Sequence, residues 1–268
     1  MPNPNGQDLR LALEHRQELE QRLAGKKPVV FLDYDGTLTP IVDHPEQALL
    51  DEGMRAAVKR LAERCIVAIV SGRALANVRE KVGLDNAYYA GDHGFEIEGP
   101  AGSTIQHDQS EEFLEQSAAA RAAIDERIGA IDGAWIEPKR FSFTVHYRQV
   151  ADADVSAVES AVDGVLDQFP KLRKHLGKKV FEIRPRLDWH KGKAVLWLLE
   201  TLDFDADKMV PLYVGDDVTD EDAFRALAGS GVGVLVSDAP RESAADYRLR
   251  DVPEVAVFLD VLTELCPD

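Results

Sequence analysis

Cysteine is almost absent from this 268-residue chain: Cys65 and Cys266 are the two present. Two are too few for a disulfide framework or for the four ligands of a structural zinc site, and Cys65 opens an apolar run in which a small buried thiol fits. Redox chemistry is not expected. Long apolar runs are also missing. No stretch approaches the ~20 residues that a bilayer demands. Met1 to Arg10 lacks the basic and then apolar profile of a signal peptide, so a soluble, cytoplasmic protein without membrane attachment is expected. Positive charge is scarce as well, with 31 Lys and Arg against 48 Asp and Glu and a formal net charge of −17 at pH 7. Phosphate backbones are bound by concentrated Lys and Arg, so the balance argues against nucleic acid as a partner. Only 12 of the 31 basic residues are Lys, a balance that also fits adaptation to salt. Neither a Gly-x-x-x-x-Gly-Lys-Ser/Thr loop nor a Gly-x-Gly-x-x-Gly fingerprint occurs, so nucleotide-phosphate cradles are not supported.

What is present suits a soluble globular protein. Hydrophobic residues make up 45% and charged residues 29%, enough to bury a real core, and the length admits one large α/β domain or a core carrying a smaller insert. Leucines at 9, 13, 19 and 23 predict an amphipathic helix from Gln7 to Leu23, ended by Gly25, in an N-terminal segment 1–27. Pro28 to Leu32, Ile66 to Val70, Val210 to Val214 and Val232 to Val236 are short continuous apolar runs, each followed by small or acidic residues. They predict buried strands of a doubly wound, mainly parallel sheet whose carboxyl ends carry the ligand site. Glu52 to Arg64 is predicted to be helical, and so is the segment after Lys191, with Val195, Leu196 and Leu199 turned inward. Between these parts the pattern changes. Phe141 to Tyr147 alternates with period two, Val180 to Ile183 reads as another strand, and Glu111 to Ile131 and Val155 to Phe169 read as helices. A sheet with one exposed face is expected there, so a smaller α/β domain is placed at 108–185, inserted in a core of 28–107 and 186–268, with Gly99 to Gly102 and Pro185 near the hinges.

The acidic residues at the strand ends carry the chemistry. Asp33 and Asp35 lie on alternate residues of an extended strand and converge only if the chain curls, which Gly36 permits. One carboxylate can then attack phosphorus while the other handles protons; an acidic turn is the plain alternative. A helix-loop-helix calcium site does not fit, because the twelfth position counted from Asp33 is His44 and a strand precedes the run. Asp216 and Asp217 follow another predicted strand and offer hard oxygen ligands suited to Mg²⁺, while Thr219 and Asp222 fit a helix capping box. Ser71-Gly72 is a plain turn or a phosphate-binding hydroxyl at a helix start. Lys191 at a helix amino terminus opposes the dipole, which anion neutralisation would explain, and a solvated side chain is the other reading. An anionic substrate would approach this acidic protein against its field, so a metal ion and a few placed cations would have to supply local positive charge.

Taken in order, Asp33-Tyr34-Asp35-Gly36-Thr37-Leu38, Ser71-Gly72-Arg73, Lys191-Gly192 and Gly215-Asp216-Asp217 resemble the four signature motifs of the haloacid dehalogenase superfamily of phosphohydrolases. Thr39-Pro40-Ile41, Gly91-Asp92-His93-Gly94, His146-Tyr147-Arg148, Glu182-Ile183-Arg184-Pro185 and Thr219 to Phe224 are similar to segments of its trehalose-6-phosphate phosphatase branch, and the inserted segment looks like that branch's cap. The resemblance spans about residues 28–262; Trp189-His190 before Lys191 departs from it. It implies Mg²⁺-dependent hydrolysis of a sugar phosphate, trehalose 6-phosphate first, by a monomer linked in function to trehalose-6-phosphate synthase. Asp33 would be the nucleophile and Asp35 the acid and base. Asp33, the backbone carbonyl of Asp35 and Asp216 would hold the ion, supported by Asp217 or Asp220. Ser71 and Lys191 would hold the phosphoryl oxygens, with Gly36, Thr37, Gly72, Arg73 and His93 lining that pocket. Glu137, Lys139, Arg148, Lys178 and Glu182 match the positions that grip the sugar. Another sugar phosphate, phosphate transfer between sugar positions, and a non-catalytic partner domain are the competing readings.

Overall fold

A computed structural model describes residues 9–42, 44–105 and 113–267. Gln7 and Asp8 of the predicted first helix, Glu111 and Glu112 of the helix predicted in the middle section, and the boundary expected between 107 and 108 lie outside these residues. Tertiary contacts group the chain into two units: Met1–Ile105 with Trp189–Asp268, and Gln106–Asp188.

In chain order the larger unit runs β1 (Arg10–Leu11), a 3-10 turn (Ala12–His15), α1 (Arg16–Leu23), β2 (Lys27–Leu32), α2 (Glu52–Ala62), β3 (Ile66–Val70), α3 (Leu75–Val82), β4 (Tyr88–Gly91), β5 (Glu96–Glu98) and β6 (Thr104–Ile105). The smaller unit follows with α4 (Leu114–Ile128), β7 (Trp135–Pro138), β8 (Phe143–His146), α5 (Val155–Leu166), β9 (Leu172–Gly177) and β10 (Val180–Pro185). The larger unit is completed by α6 (Lys191–Thr201), β11 (Met209–Gly215), α7 (Glu221–Leu227), β12 (Val232–Val236), β13 (Tyr247–Leu249) and α8 (Val252–Leu265). No helix among the described residues is long and apolar enough to cross a membrane.

Among the described residues the larger unit holds a nine-stranded sheet in the order β1-β13-β12-β11-β2-β3-β4-β5-β6. It is parallel from β1 through β4 and antiparallel only at β5 and β6. Its central strands are apolar throughout because both faces are covered. Val30, Leu32, Val67, Ile69, Leu212 and Val214 pack against Leu19 of α1, Met54, Val58 and Leu61 of α2, and Phe258 and Leu262 of α8. Their neighbours Val29, Phe31, Ala68, Val70 and Tyr213 pack on the opposite side against Val195 and Leu198 of α6 and Phe224 of α7. This is the predicted doubly wound α/β core.

Three expectations change in detail. Within its described residues the helix expected over Gln7 to Leu23 is not continuous: Arg10 and Leu11 pair in parallel with Tyr247 and Arg248, so the segment extends the sheet, makes the 3-10 turn Ala12–His15 and becomes α-helical at Arg16. In α6 the inner residues are Val195, Leu198 and Leu199, whereas Leu196 is 48% exposed; the helical period of 3.6 places 195, 198 and 199 on one face and turns 196 away. Gly99 to Gly102 forms the turn between β5 and β6, and Pro185 is the last residue of β10, so both lie within units.

The smaller unit is a four-stranded antiparallel sheet, β7-β8-β10-β9. Alternation sorts its residues cleanly. Phe143, Val145, Phe181, Ile183 and Leu172 meet Ile124 and Ile128 of α4 and Val158 and Val162 of α5. Pairing brings Glu137, Thr144 and Glu182 side by side on the other face.

Leu61 is fully buried between α2 and the central strands. Leu61→Ala should lower the unfolding free energy by about 2–5 kcal/mol, since the emptied volume is only partly refilled. Urea denaturation would check this, with a cost below about 1 kcal/mol contradicting the packing described.

Candidate active site

The site begins where β2 ends. The Asp33 N–H donates to the Val214 carbonyl at 2.9 Å, so pairing with β11 continues one residue and sets Asp33 at the carboxyl edge of the sheet, 4% exposed. The chain then curls back. The N–H groups of Leu38 and Thr39 both donate to the Tyr34 carbonyl, and that of Gly36 to Thr39. Gly36 has φ +84°, and a Cβ there would lie 2.2 Å from Asp216 Oδ2. Only glycine satisfies both the left-handed turn and the approach of the second loop.

Lys191, the first residue of α6, reaches this edge with its side chain 3% exposed. Its Nζ lies 2.6 Å from Asp33 Oδ1 and 2.7 Å from Asp220 Oδ1. A Cβ on Gly192 would lie 2.2 Å from the Asp222 carbonyl oxygen, so a glycine after the lysine lets α6 pack directly on the start of α7.

Asp220 accepts four hydrogen bonds. Its Oδ1 accepts from Lys191 Nζ and from the Tyr213 hydroxyl, the latter at 2.7 Å. Its Oδ2 accepts from the backbone N–H groups of Asp216 and Asp217 at 3.0 and 2.9 Å. The cap therefore differs from the one expected of Thr219 and Asp222. Asp217 is the N-cap of the single turn Val218–Asp220, and α7 starts at Glu221, because the chain turns directly after Gly215.

Oxygens of Asp33, Asp216 and Asp220 lie within 4.8 Å of one another, the group among the described residues that could hold a metal ion. The carboxylates of Asp35 and Asp217 stand outside it. Burial pushes the Asp33 carboxyl well up; Lys191 pulls it down, and Asp220 and Asp216 raise it again. Burial would lower Lys191, but Asp220 and Asp33 outweigh this and raise it, so the ammonium stays charged. Burial and then Asp220 push the Tyr213 phenol far up, which keeps it a donor. Counted as ionised, the three carboxylates carry two negative charges more than the single Lys191 ammonium, which bonds to two of them, and all three are hard oxygen donors. That set fits a divalent cation of the Mg²⁺ or Ca²⁺ type.

Asp35 points to a different partner. Arg73 holds it with both arms of its guanidinium, Nε to Oδ2 at 2.7 Å and Nη2 to Oδ1 at 2.6 Å. Arg73 also reaches Asn77 Oδ1 at 3.0 Å and lies over the Tyr34 ring. The curl of the chain therefore brings the two carboxylates to the same edge but gives each its own cation.

Ser71 directly follows β3, which pairs with β2. Its N–H donates to the Ala90 carbonyl and its Oγ accepts from the Arg73 N–H at 3.1 Å, while α3 begins only at Leu75. Ser71 thus lies at the same sheet edge as Asp33, but not at a helix start as expected. Asp92, His93 and Gly94 have φ of +49°, +58° and +92° in succession. The N–H groups of Asp92 and His93 bond to the Arg73 and Ser71 carbonyls, and a Cβ on Gly72 would lie 2.6 Å from the His93 ring. The loops carrying Gly72 and His93 are pressed together, and that contact sustains a backbone that L residues adopt at a cost. Thr37 is fully buried in the first loop.

In the smaller unit Glu137 and Glu182 flank Thr144 on the polar sheet face. Lys139 lies in the β7–β8 turn. Arg148 lies beyond the far end of β8, with Nη2 3.0 Å from the carbonyl of Lys178 in the β9–β10 turn. The five positions therefore run from one end of the sheet across its face to the other. Sequence reasoning missed Tyr213, Trp135 and the bonding of His146. Tyr213 reads as one more strand hydrophobe, and nothing local marks its hydroxyl as pointing at Asp220.

The family model for trehalose-phosphatases matches residues 31–253. The chain belongs to the trehalose-phosphatase family. It is accordingly a phosphatase, a phosphoric monoester hydrolase. It is 42% identical to "Probable trehalose-phosphate phosphatase D" of Arabidopsis thaliana, over 94% of this chain and 72% of that protein. It is 40% identical to "Trehalose-phosphate phosphatase B" of the same plant, over 94% and 71%. The fold is similar to that of the C-terminal domain of trehalose-6-phosphate phosphatase from C. albicans, with a TM-score of 0.79 and 23% identity, over 97% of this chain and 99% of that one. The family match takes in all four loops that meet at the sheet edge.

A divalent cation should raise the thermal midpoint of this family member, with about 2.7 kcal/mol of added stability at one hundred times the dissociation constant. Asp216→Asn should abolish the shift. Calorimetry with Mg²⁺ and with chelator would check both, and an equal shift in the variant would exclude Asp216 as a ligand.

Proposed function

We propose that the protein hydrolyses trehalose 6-phosphate to trehalose and phosphate, with Mg²⁺, through an aspartyl-phosphate on Asp33. The single observation that carries the reading is the buried meeting of Asp33 with Lys191 at the carboxyl edge of a doubly wound sheet, in a chain of this family.

Asp33 attacks phosphorus, forming an O–P bond as the bond from phosphorus to the sugar oxygen breaks. Asp35 gives that oxygen its proton. A water then attacks the aspartyl-phosphate, Asp35 takes its proton, and inorganic phosphate leaves with Asp33 restored. Arg73 orients the Asp35 carboxyl, whose side chain is 41% exposed and so remains within reach of a sugar oxygen. Lys191 and the Ser71 hydroxyl meet the phosphoryl oxygens, and Gly36, Thr37, Gly72, Arg73 and His93 shape the pocket around them. Asp33, Asp216 and the Asp35 carbonyl are the groups that would hold Mg²⁺, supported by Asp217 or Asp220. The bound ion offsets the two excess negative charges, so that phosphate can approach a carboxylate.

The smaller unit is read as the cap domain that recognises the sugar, with Glu137, Lys139, Arg148, Lys178 and Glu182 as partners of its hydroxyls. The names and identity of the plant relatives support trehalose 6-phosphate, which a trehalose-6-phosphate synthase would supply.

Phosphate release measured with Mg²⁺ on trehalose 6-phosphate, sucrose 6-phosphate and glucose 6-phosphate tests the substrate. A clear preference for the first is expected, and equal rates would overturn it while sparing the mechanism. Asp33→Asn should lower kcat about 10³-fold or more; an unchanged rate would overturn the nucleophile.

A further inference from the structure

Within the smaller unit, β7 and β8 pair so that Trp135 stands opposite His146 and Glu137 opposite Thr144. The indole and imidazole rings stack face to face, with centroids 3.9 Å apart and planes 3° from parallel. His146 Nε2 lies 3.0 Å from Glu137 Oε2, with the imidazole side chain 12% exposed and the carboxylate 23%. An ionised carboxylate only accepts, so Nε2 carries the proton of this bond. Three side chains on two strands thus form a linked series: Trp135 sets the plane of the imidazole, and the imidazole sets the direction of Glu137.

The neighbouring carboxylate is arranged alike. Glu182, across Thr144 from Glu137, is bonded by Arg184 two residues along its own strand. Two carboxylates on one sheet face repel each other, and each has its own nitrogen donor on that face. A free Glu side chain has many rotamers and loses them on binding a ligand, whereas one already held does not.

We propose that His146, braced by Trp135, is a positioning residue that holds Glu137 in the orientation from which it accepts a hydrogen bond from a sugar hydroxyl. The inference rests on the reading of Glu137 as a sugar-binding group. It assigns a role to two residues that do not themselves touch the substrate, and it predicts an effect on substrate affinity rather than on the chemical step.

The test is steady-state kinetics of the 268-residue chain on trehalose 6-phosphate with Mg²⁺. His146→Ala should raise KM about 3- to 10-fold, the span of one lost hydrogen bond, with kcat changing much less. His146→Gln, whose side-chain amide can replace the Nε2–H donor, should recover most of the loss. Glu137→Gln should raise KM by itself, and adding His146→Ala to it should have little further effect, because the two act through one contact. If Glu137→Gln leaves KM unchanged, the sugar-binding reading of Glu137 fails. If Glu137→Gln raises KM but His146→Ala does not, the positioning role is overturned. Equal losses in the Ala and Gln variants, or a loss confined to kcat, would overturn it as well.

Discussion

Lys191 is buried with Asp33 and Asp220, and that ion cluster is the constraint on which the larger unit is organised. Burying charges costs several kcal/mol for each unless they are paired and fully hydrogen-bonded. Asp220 meets the condition by accepting from four donors contributed by β11, the loop after it and α6. The carboxylate therefore works as a joint between elements distant in sequence. Lys191 meets it by bridging two carboxylates. Asp33 shares that ammonium with Asp220, and burial first, then the charges of Asp220 and Asp216, holds its carboxyl well above the usual range.

Close approach of backbone is the second requirement, and glycines satisfy it. Gly36 faces Asp216, Gly72 faces the His93 ring, Gly192 faces the Asp222 carbonyl, and Gly215 faces the Asp220 side chain. Each contact brings together two segments that meet near the carboxyl edge of the sheet. Because no Cβ stands between them, the functional side chains converge without a shift in the strands that carry them. The left-handed run at Asp92 to Gly94 belongs to the same economy of space, held by backbone bonds to Ser71 and Arg73.

The smaller unit solves a different problem. Its polar sheet face must carry ionisable groups beside one another without losing their order, and cross-strand bonds do this: His146 with Glu137, and Arg184 with Glu182. Aromatic stacking from Trp135 adds stiffness where hydrogen bonding alone would leave an imidazole free to rotate. The larger unit thus fixes charges by burial and the smaller by register.

The sequence by itself determined the element types of the core, the doubly wound sheet and the strand ends at which acidic and basic residues gather. These are local properties: continuous apolar runs, helical periods and glycine-bearing turns act over a few residues. It marked Asp33, Ser71, Lys191 and Asp216 as one set because their order resembles a known series of motifs, and the strands that Asp33, Ser71 and Asp216 follow, β2, β3 and β11, are neighbours in the sheet. What it did not determine was pairing. That Arg73 grips Asp35, that Asp220 rather than Asp217 joins the carboxylate trio and that the first segment adds a strand before its helix depend on contacts across tens to hundreds of residues, and that Tyr213 turns its hydroxyl to Asp220 depends on how the chain turns after β11. Only the tertiary structure decided those, because a side chain's partner is chosen by the register of strands and the crossing of helices, and neither is written in its neighbours.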